Sequence, residues 1–174
     1  MAELWDIYDI NKQKTGKTAE RGKYEFKSGE YHIVVTALII NSKKEILISK
    51  RAASKKTHPL EWECNGGSIL AGETSLNGII REIKEELGIE LLPEDAIFLK
   101  TIRRDKNPPD FKDIWVFNKD VNIKDIKFTD QESIEAKWVT IDEFIQMKKE
   151  DKIVKTLEID RKEYEEALEA INKK

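Results

Sequence analysis

Leu76, Ile79, Ile80, Ile83 and Leu87 recur at steps of three or four residues, and this run constrains the fold more than any other stretch of the chain. The spacing places five apolar side chains on one stripe of an α-helix, a stripe that has to be buried against another element. Thr74 or Ser75 can cap the start, and Gly88 stands where a left-handed residue closes a helix. Asn77-Gly78 is a turn dipeptide inside the run. The stripe passes through it unbroken, and one interior glycine costs a helix only about 1 kcal/mol.

The same helix carries Glu82, Glu85 and Glu86 in the segment REIKEEL. At about 100° per residue, Glu86 lies about 80° from the stripe, Glu82 about 120° and Glu85 on the far side. The three form a continuous acidic wall beside the buried face. Like charges at these spacings destabilise an isolated helix by about 0.2–0.5 kcal/mol per pair. Two compensations stand open: a solvated face bridged by Arg81 and Lys84, or a divalent cation such as Mg²⁺ or Mn²⁺, whose chemistry suits carboxylate oxygens.

Around this helix the chain alternates strands and helices. An apolar N-terminal start followed by a polar turn at Gly16 predicts a short strand or hairpin, and His32 to Ile40 is β-branched and reads as a buried strand. The turn Asn41-Ser42-Lys43-Lys44 leads to EILISKR, expected to pair with that strand. WECN, AIFLKTIRR, DIWVFNK and AKWVTI predict further strands, and DEFIQMKKE a short helix capped by Asp142. A C-terminal helix, about residues 160–174, puts Tyr164, Ala167, Leu168 and Ile171 on one side. The expected class is α/β (α+β), a mixed sheet covered by helices, in a single domain over residues 1–174.

Thirty-one Lys and Arg against 34 Asp and Glu give a net charge of −3, which argues against nucleic acid as a partner. The start MAELWDIYDINK lacks the apolar region of a secretory signal, and the longest apolar run, Ile33 to Ile40, is too short to span a bilayer. The single cysteine, Cys64, excludes an internal disulfide framework and a multi-cysteine zinc site. The expected location is cytoplasmic, without a membrane partner.

The wider spacing chooses between the two readings of the glutamates. Gly67, Glu73, Arg81, Glu82, Ile83, Glu85, Glu86, Gly88 and Ile89 match G-x5-E-x7-R-E-U-x-E-E-x-G-U, with U aliphatic, over residues 67–89. That pattern is similar to the signature of the Nudix hydrolase superfamily. The resemblance implies a mixed sheet between helices and a divalent-metal-dependent hydrolysis of a small-molecule diphosphate, such as a nucleoside diphosphate derivative. It implies Glu82, Glu85 and Glu86 as metal ligands for Mg²⁺ or Mn²⁺, with the Gly66 carbonyl as a further one. Glu73 would pair with Arg81, and Gly67 would let the backbone approach the site. Glu85 and Glu86 are candidates for the base, but family members also use a glutamate outside the signature. In DQESIEAKWVTIDEF this makes Glu132 the choice and Glu135 the runner-up. A homodimer is the assembly the fold family suggests.

Further segments, among them GEYHIVV and KRAASKKTHP, resemble Nudix proteins related to isopentenyl-diphosphate isomerase. This resemblance implies Arg51, Lys55 and Lys56 as ligands of the diphosphate. The isomerase needs a cysteine and a histidine just before its Gly-Glu segment, whereas this chain has Gly66-Gly67-Ser68-Ile69 there. Cys64 falls two places early in an apolar context, His32 lacks its partner histidines, and His58 does not replace them. Hydrolysis is therefore the leading expectation. The alternatives are an isomerase-like enzyme and a diphosphate-sensing domain without turnover. Trp5, Trp62 and Trp115 suit either stacking on a base or core packing.

Overall fold

A computed structural model describes residues 2–129 and 131–174. At its centre lies β3 (His32–Ile40), paired in parallel with β8 (Asp110–Asn118) from His32↔Asp110 to Ile40↔Asn118. β7 (Ala96–Arg104) extends this side as an antiparallel neighbour of β8. On the other edge, the expected pairing of β3 with β4 (Ile46–Arg51) holds at Ile40↔Ile46, after which the strands splay. β4 spends its length on β9 (Ser133–Val139) instead.

Residues 62–68 fill the gap. β5 (Trp62–Glu63) pairs with β4, and β6 (Gly66–Ser68) crosses to pair with β3 through Val35↔Gly67. Glycine is required for that crossing: a Cβ at Gly66 would stand 2.0 Å from the Val35 carbonyl oxygen. The hairpin opens because a strand that begins with two glycines occupies the inner edge of β3.

Both faces of the mixed sheet are covered, which explains why β3 is apolar on each. Ile33, Val35, Ala37 and Ile39 meet Ile79, Ile83 and Leu87 of α1 (Ser75–Leu87). Leu38 and Ile40 share the opposite core with Phe144 of α2 (Ile141–Lys149) and with Tyr164 and Ala167 of α3 (Arg161–Asn172). α2 is capped by Thr140 rather than by Asp142. The Thr140 hydroxyl accepts from the Glu143 N–H at 3.2 Å, and the Glu143 carboxylate accepts from the Thr140 N–H at 2.7 Å. That reciprocal pair starts the helix two residues early and leaves Asp142 in the first turn, facing Arg161.

The N-terminal hairpin, β1 (Leu4–Tyr8) and β2 (Lys14–Glu20), joins β3 through reciprocal backbone bonds between Tyr8 and Tyr31. Among the described residues no helix is long and apolar enough to cross a membrane.

Candidate active site

The site grows from the ends of α1. The Thr74 hydroxyl accepts from the Asn77 N–H at 3.1 Å, and Gly88 closes the helix at φ 66°. Gly78 lies against Ile69: a Cβ there would stand 2.4 Å from the Ile69 Cγ2 atom. The glycine that weakens the helix is therefore what lets the preceding loop lie on it. Arg81 ties that loop down from the other side. Its Nε and Nη2 donate to the two Glu73 oxygens at 2.9 Å each, and Nη2 donates to the Ser68 carbonyl at 3.2 Å.

The three glutamates take the graded positions that their helical angles predict. Glu86 is buried, Glu82 half-buried and Glu85 exposed. Asn65 donates to Glu86 at 2.7 Å from beneath, in a fully buried contact. Burial pushes the Glu82 carboxyl above the usual carboxylate range, against the pull of Arg81. Gly67 is what leaves Glu82 its space, since a Cβ there would meet the carboxylate at 2.4 Å. On β6, Ala37 N–H donates to the Asn65 carbonyl and Ile69 N–H to that of Ile33, so the odd-numbered residues bond to β3. The alternation turns the Gly66 and Ser68 carbonyls outward, and the latter reaches Arg81.

A cleft of about 490 Å³ joins this wall to a second one. Gly66, Gly67 and the three glutamates line one side; Arg51, Lys55 and Glu132 line the other. Lys55 and Glu132 form an ion pair across the loop ends, and the Glu132 carbonyl accepts from the Ala52 N–H. Arg51 is heavily engaged: Nη1 donates to Glu63 at 2.6 Å, and the remaining nitrogens donate to the Thr57 and His58 carbonyls. Burial lifts the Glu63 carboxyl above its ordinary value despite that partner.

Lys56, placed with Arg51 and Lys55 by sequence, is exposed and does not line the cleft. Glu135 sits on β9, largely exposed and 4.0 Å from Lys50, also outside the lining. Trp5 is buried and stacks on His32, Trp62 is buried beneath Lys137, and half-buried Trp115 donates to Ser75. None of the three lines the cleft, so packing explains them. Cys64 borders the cleft from a buried position, and burial pushes its thiol up to about 12.

Sequence reasoning missed Asn65 and Glu63. The available signal was a charged and an amide residue inside the buried strand WECN, immediately before two glycines.

The donor set suits a hard divalent cation. Carboxylate oxygens and an outward carbonyl converge on the cleft, and the missing side chain at Gly67 keeps the approach to Glu82 clear. Among the described residues these carboxylates do not form a finished cage. Arg81 Nη1 instead donates to Glu82 and Glu85, at 3.0 Å each.

Comparison with known proteins agrees with this architecture. The NUDIX domain model matches residues 30–157, and the chain belongs to the Nudix family. An uncharacterized Nudix hydrolase of Listeria monocytogenes is 37% identical over 144 residues, covering 81% of this chain and 82% of that protein. The isopentenyl-diphosphate Delta-isomerase of Shigella flexneri is 34% identical over 68 residues, only 38% of this chain and 37% of the isomerase. A crystal structure from Deinococcus radiodurans superposes with a TM-score of 0.71 over 87% of this chain and 92% of its own, at 20% identity, a likeness of fold alone. These relationships define a Nudix hydrolase, a family whose members generally use divalent metal ions and act on small-molecule substrates.

Proposed function

We propose that this Nudix hydrolase is a Mg²⁺- or Mn²⁺-dependent diphosphohydrolase, cytoplasmic, that cleaves the diphosphate linkage of a nucleoside diphosphate derivative or a related compound. The observation that carries the proposal is the meeting, in one cleft, of the acidic α1 wall with the Arg51, Lys55 and Glu132 wall. Glu82, Glu85, Glu86 and the Gly66 carbonyl would hold the metal. When bound, it would neutralise charge on the phosphate oxygens and lower the pKa of a water molecule.

The remaining roles belong to the chain. Asn65 fixes the orientation of Glu86, and Gly67 leaves room for Glu82. Arg81 holds the loop through Glu73 and pairs with Glu82 and Glu85 until they exchange partners. Lys55 offers its ammonium to the diphosphate, and Arg51 adds positive charge from behind while its donors organise the 52–61 loop. Glu132, released from Lys55 when that lysine turns to phosphate, accepts the proton of the attacking water. Glu85 and Glu86 are the alternative bases on the metal side.

The test is release of a phosphomonoester product from a panel of nucleoside diphosphates, triphosphates, sugar nucleotides and dinucleoside polyphosphates. Activity is expected with Mg²⁺ or Mn²⁺, none after chelation, and a collapse in Glu85→Gln and Glu86→Gln. Folded variants that keep full activity would refute the assignment. The isomerase reading is the weaker one, since Gly66-Gly67-Ser68-Ile69 stands where its cysteine and histidine are needed and Cys64 is buried, with its thiol pushed up by that burial.

A further inference from the structure

Beyond the glutamates the cleft continues onto the sheet face beneath residues 153–158, and its floor there carries a buried cation. Ser68 of β6, Val34 of β3 and Lys112 of β8 lie in register on adjacent strands. Lys112 therefore stands two strand spacings, about 10 Å, from the glycine strand that borders Glu82. Arg51 lies to the other side, on β4, so the acidic wall falls between two cationic regions.

Lys112 is 5% exposed. Its ammonium donates to the Thr156 carbonyl at 2.7 Å, and Arg104 Nη1 donates to the same oxygen at 3.2 Å. Two cations thus converge on one neutral acceptor at the cleft wall. Arg104 has its counter-charge in Asp110, which accepts from Nε at 2.6 Å and Nη2 at 2.8 Å and also pairs with Lys106 at 3.2 Å. Lys112 has less. Among the described residues its ion-pair partner is Glu158 at 3.9 Å, a carboxylate it shares with Arg104.

A buried ammonium without a close carboxylate is costly. Packing does not ask for one, because Ile114 and Val116 on the same face of β8 are apolar core residues. Burial, then the charge of Arg104, pulls the Lys112 ammonium down to about 8, against Glu158 and Asp110.

The geometry points to a second anion subsite, in which Lys112, flanked by Arg104, binds a phosphate of the substrate separate from the reacting diphosphate. The preferred substrates are then diphosphates carrying a further phosphate monoester. This rests on the hydrolase reading for the position of the diphosphate, and equilibrium binding tests it apart from turnover.

The matched pairs NADP⁺ and NAD⁺, and coenzyme A and dephospho-coenzyme A, each differ by one phosphate monoester. Calorimetric titration with Mg²⁺ would use Glu132→Gln protein, which keeps the metal-holding glutamates and lacks the base, so that hydrolysis does not consume the ligand. The phosphorylated member of at least one pair is expected to bind about tenfold tighter. Adding Lys112→Met should remove that preference and leave the unphosphorylated member unchanged. Equal affinities within both pairs, binding of neither pair, or equal weakening of both members by Lys112→Met would overturn the subsite.

A pH series needs no variant at Lys112. Asp110, Arg104, Lys106 and Glu158 are the charged groups facing it, and the preference should fade between pH 7 and 9.5 as the ammonium loses its proton. A preference unchanged across that range would also overturn the proposal. If the binding preference stands while wild-type protein hydrolyses neither these pairs nor any member of the nucleotide panel above, the hydrolase reading fails and the subsite remains.

Discussion

Arg81 grips Glu73 with two parallel hydrogen bonds of 2.9 Å, and through that grip the loop after β6 is fastened to the helix that carries the glutamates. Burial raises the Glu73 carboxyl, but the Arg81 hydrogen bonds, the Leu70 N–H and the Arg81 charge together hold it below the ordinary range. Glu73→Gln keeps the shape and loses the charge, so stability to urea is expected to fall by about 1–3 kcal/mol at pH 7. A carboxyl lowered in the folded state contributes stability above its unfolded value and loses it as pH falls through the folded one. The gap between wild type and variant should therefore narrow below about pH 4. A gap that is constant from pH 7 to 3 would show that the pair does not act through the ionised carboxylate.

Gly67 and Gly78 both lack room for a methyl group, yet substitution should harm different things. At Gly67 the obstacle is the end of the Glu82 side chain, which can swing away. Gly67→Ala should fold normally, need more Mg²⁺ and lose about a hundredfold in rate, as displaced catalytic groups do. At Gly78 the obstacle is Ile69, itself buried. There the gain in helix propensity of about 1 kcal/mol meets overpacking of about 1–3 kcal/mol. Gly78→Ala should lower the melting temperature, which calorimetry would read. A Gly78→Ala protein more stable than wild type would show that Ile69 yields freely.

The features legible in the sequence were those made by neighbours in the chain. The α1 stripe, the Thr74 and Gly88 caps and the Glu73–Arg81 spacing all lie within 23 residues, and local geometry brings them together. The splaying of β3 from β4 was not legible, because the competitor for that edge, Gly66–Ser68, arrives a full loop later. Thr140 and Asp142 both carry cap-forming oxygens, and only the backbone decides between them. Lys55 and Lys56 are adjacent in sequence; the turn of the loop sends one to the cleft and the other to solvent. Lys112 gave no signal, since its burial depends on the covering segment some forty residues on.

Glu132 and Glu135 offer a direct comparison of the two candidate bases. Glu132 lines the cleft beside Lys55, whereas Glu135 points from β9 toward Lys50. Loss of a general base lowers turnover by about 10²–10⁴-fold. Glu132→Gln should show such a fall in kcat with little change in KM, and Glu135→Gln should stay within about twofold of wild type. Steady-state kinetics on one hydrolysed substrate decides it. Unchanged kcat in Glu132→Gln would move the role to Glu85 or Glu86.

Cys64 separates hydrolysis from isomerisation. Burial, and then the Glu63 charge, push its thiol up to about 12, against about 8.5 for a free cysteine. At pH 8 only roughly one molecule in ten thousand then carries the thiolate. Iodoacetamide should leave the native protein unlabelled at pH 8 and modify it fully in denaturant, as mass spectrometry would record. Cys64→Ala should retain metal-dependent hydrolysis, at the cost of a small cavity. Deuterium should not enter isopentenyl diphosphate with either protein. Rapid native labelling accompanied by exchange that Cys64→Ala abolishes would instead make the thiol a working acid, and the chain an isomerase.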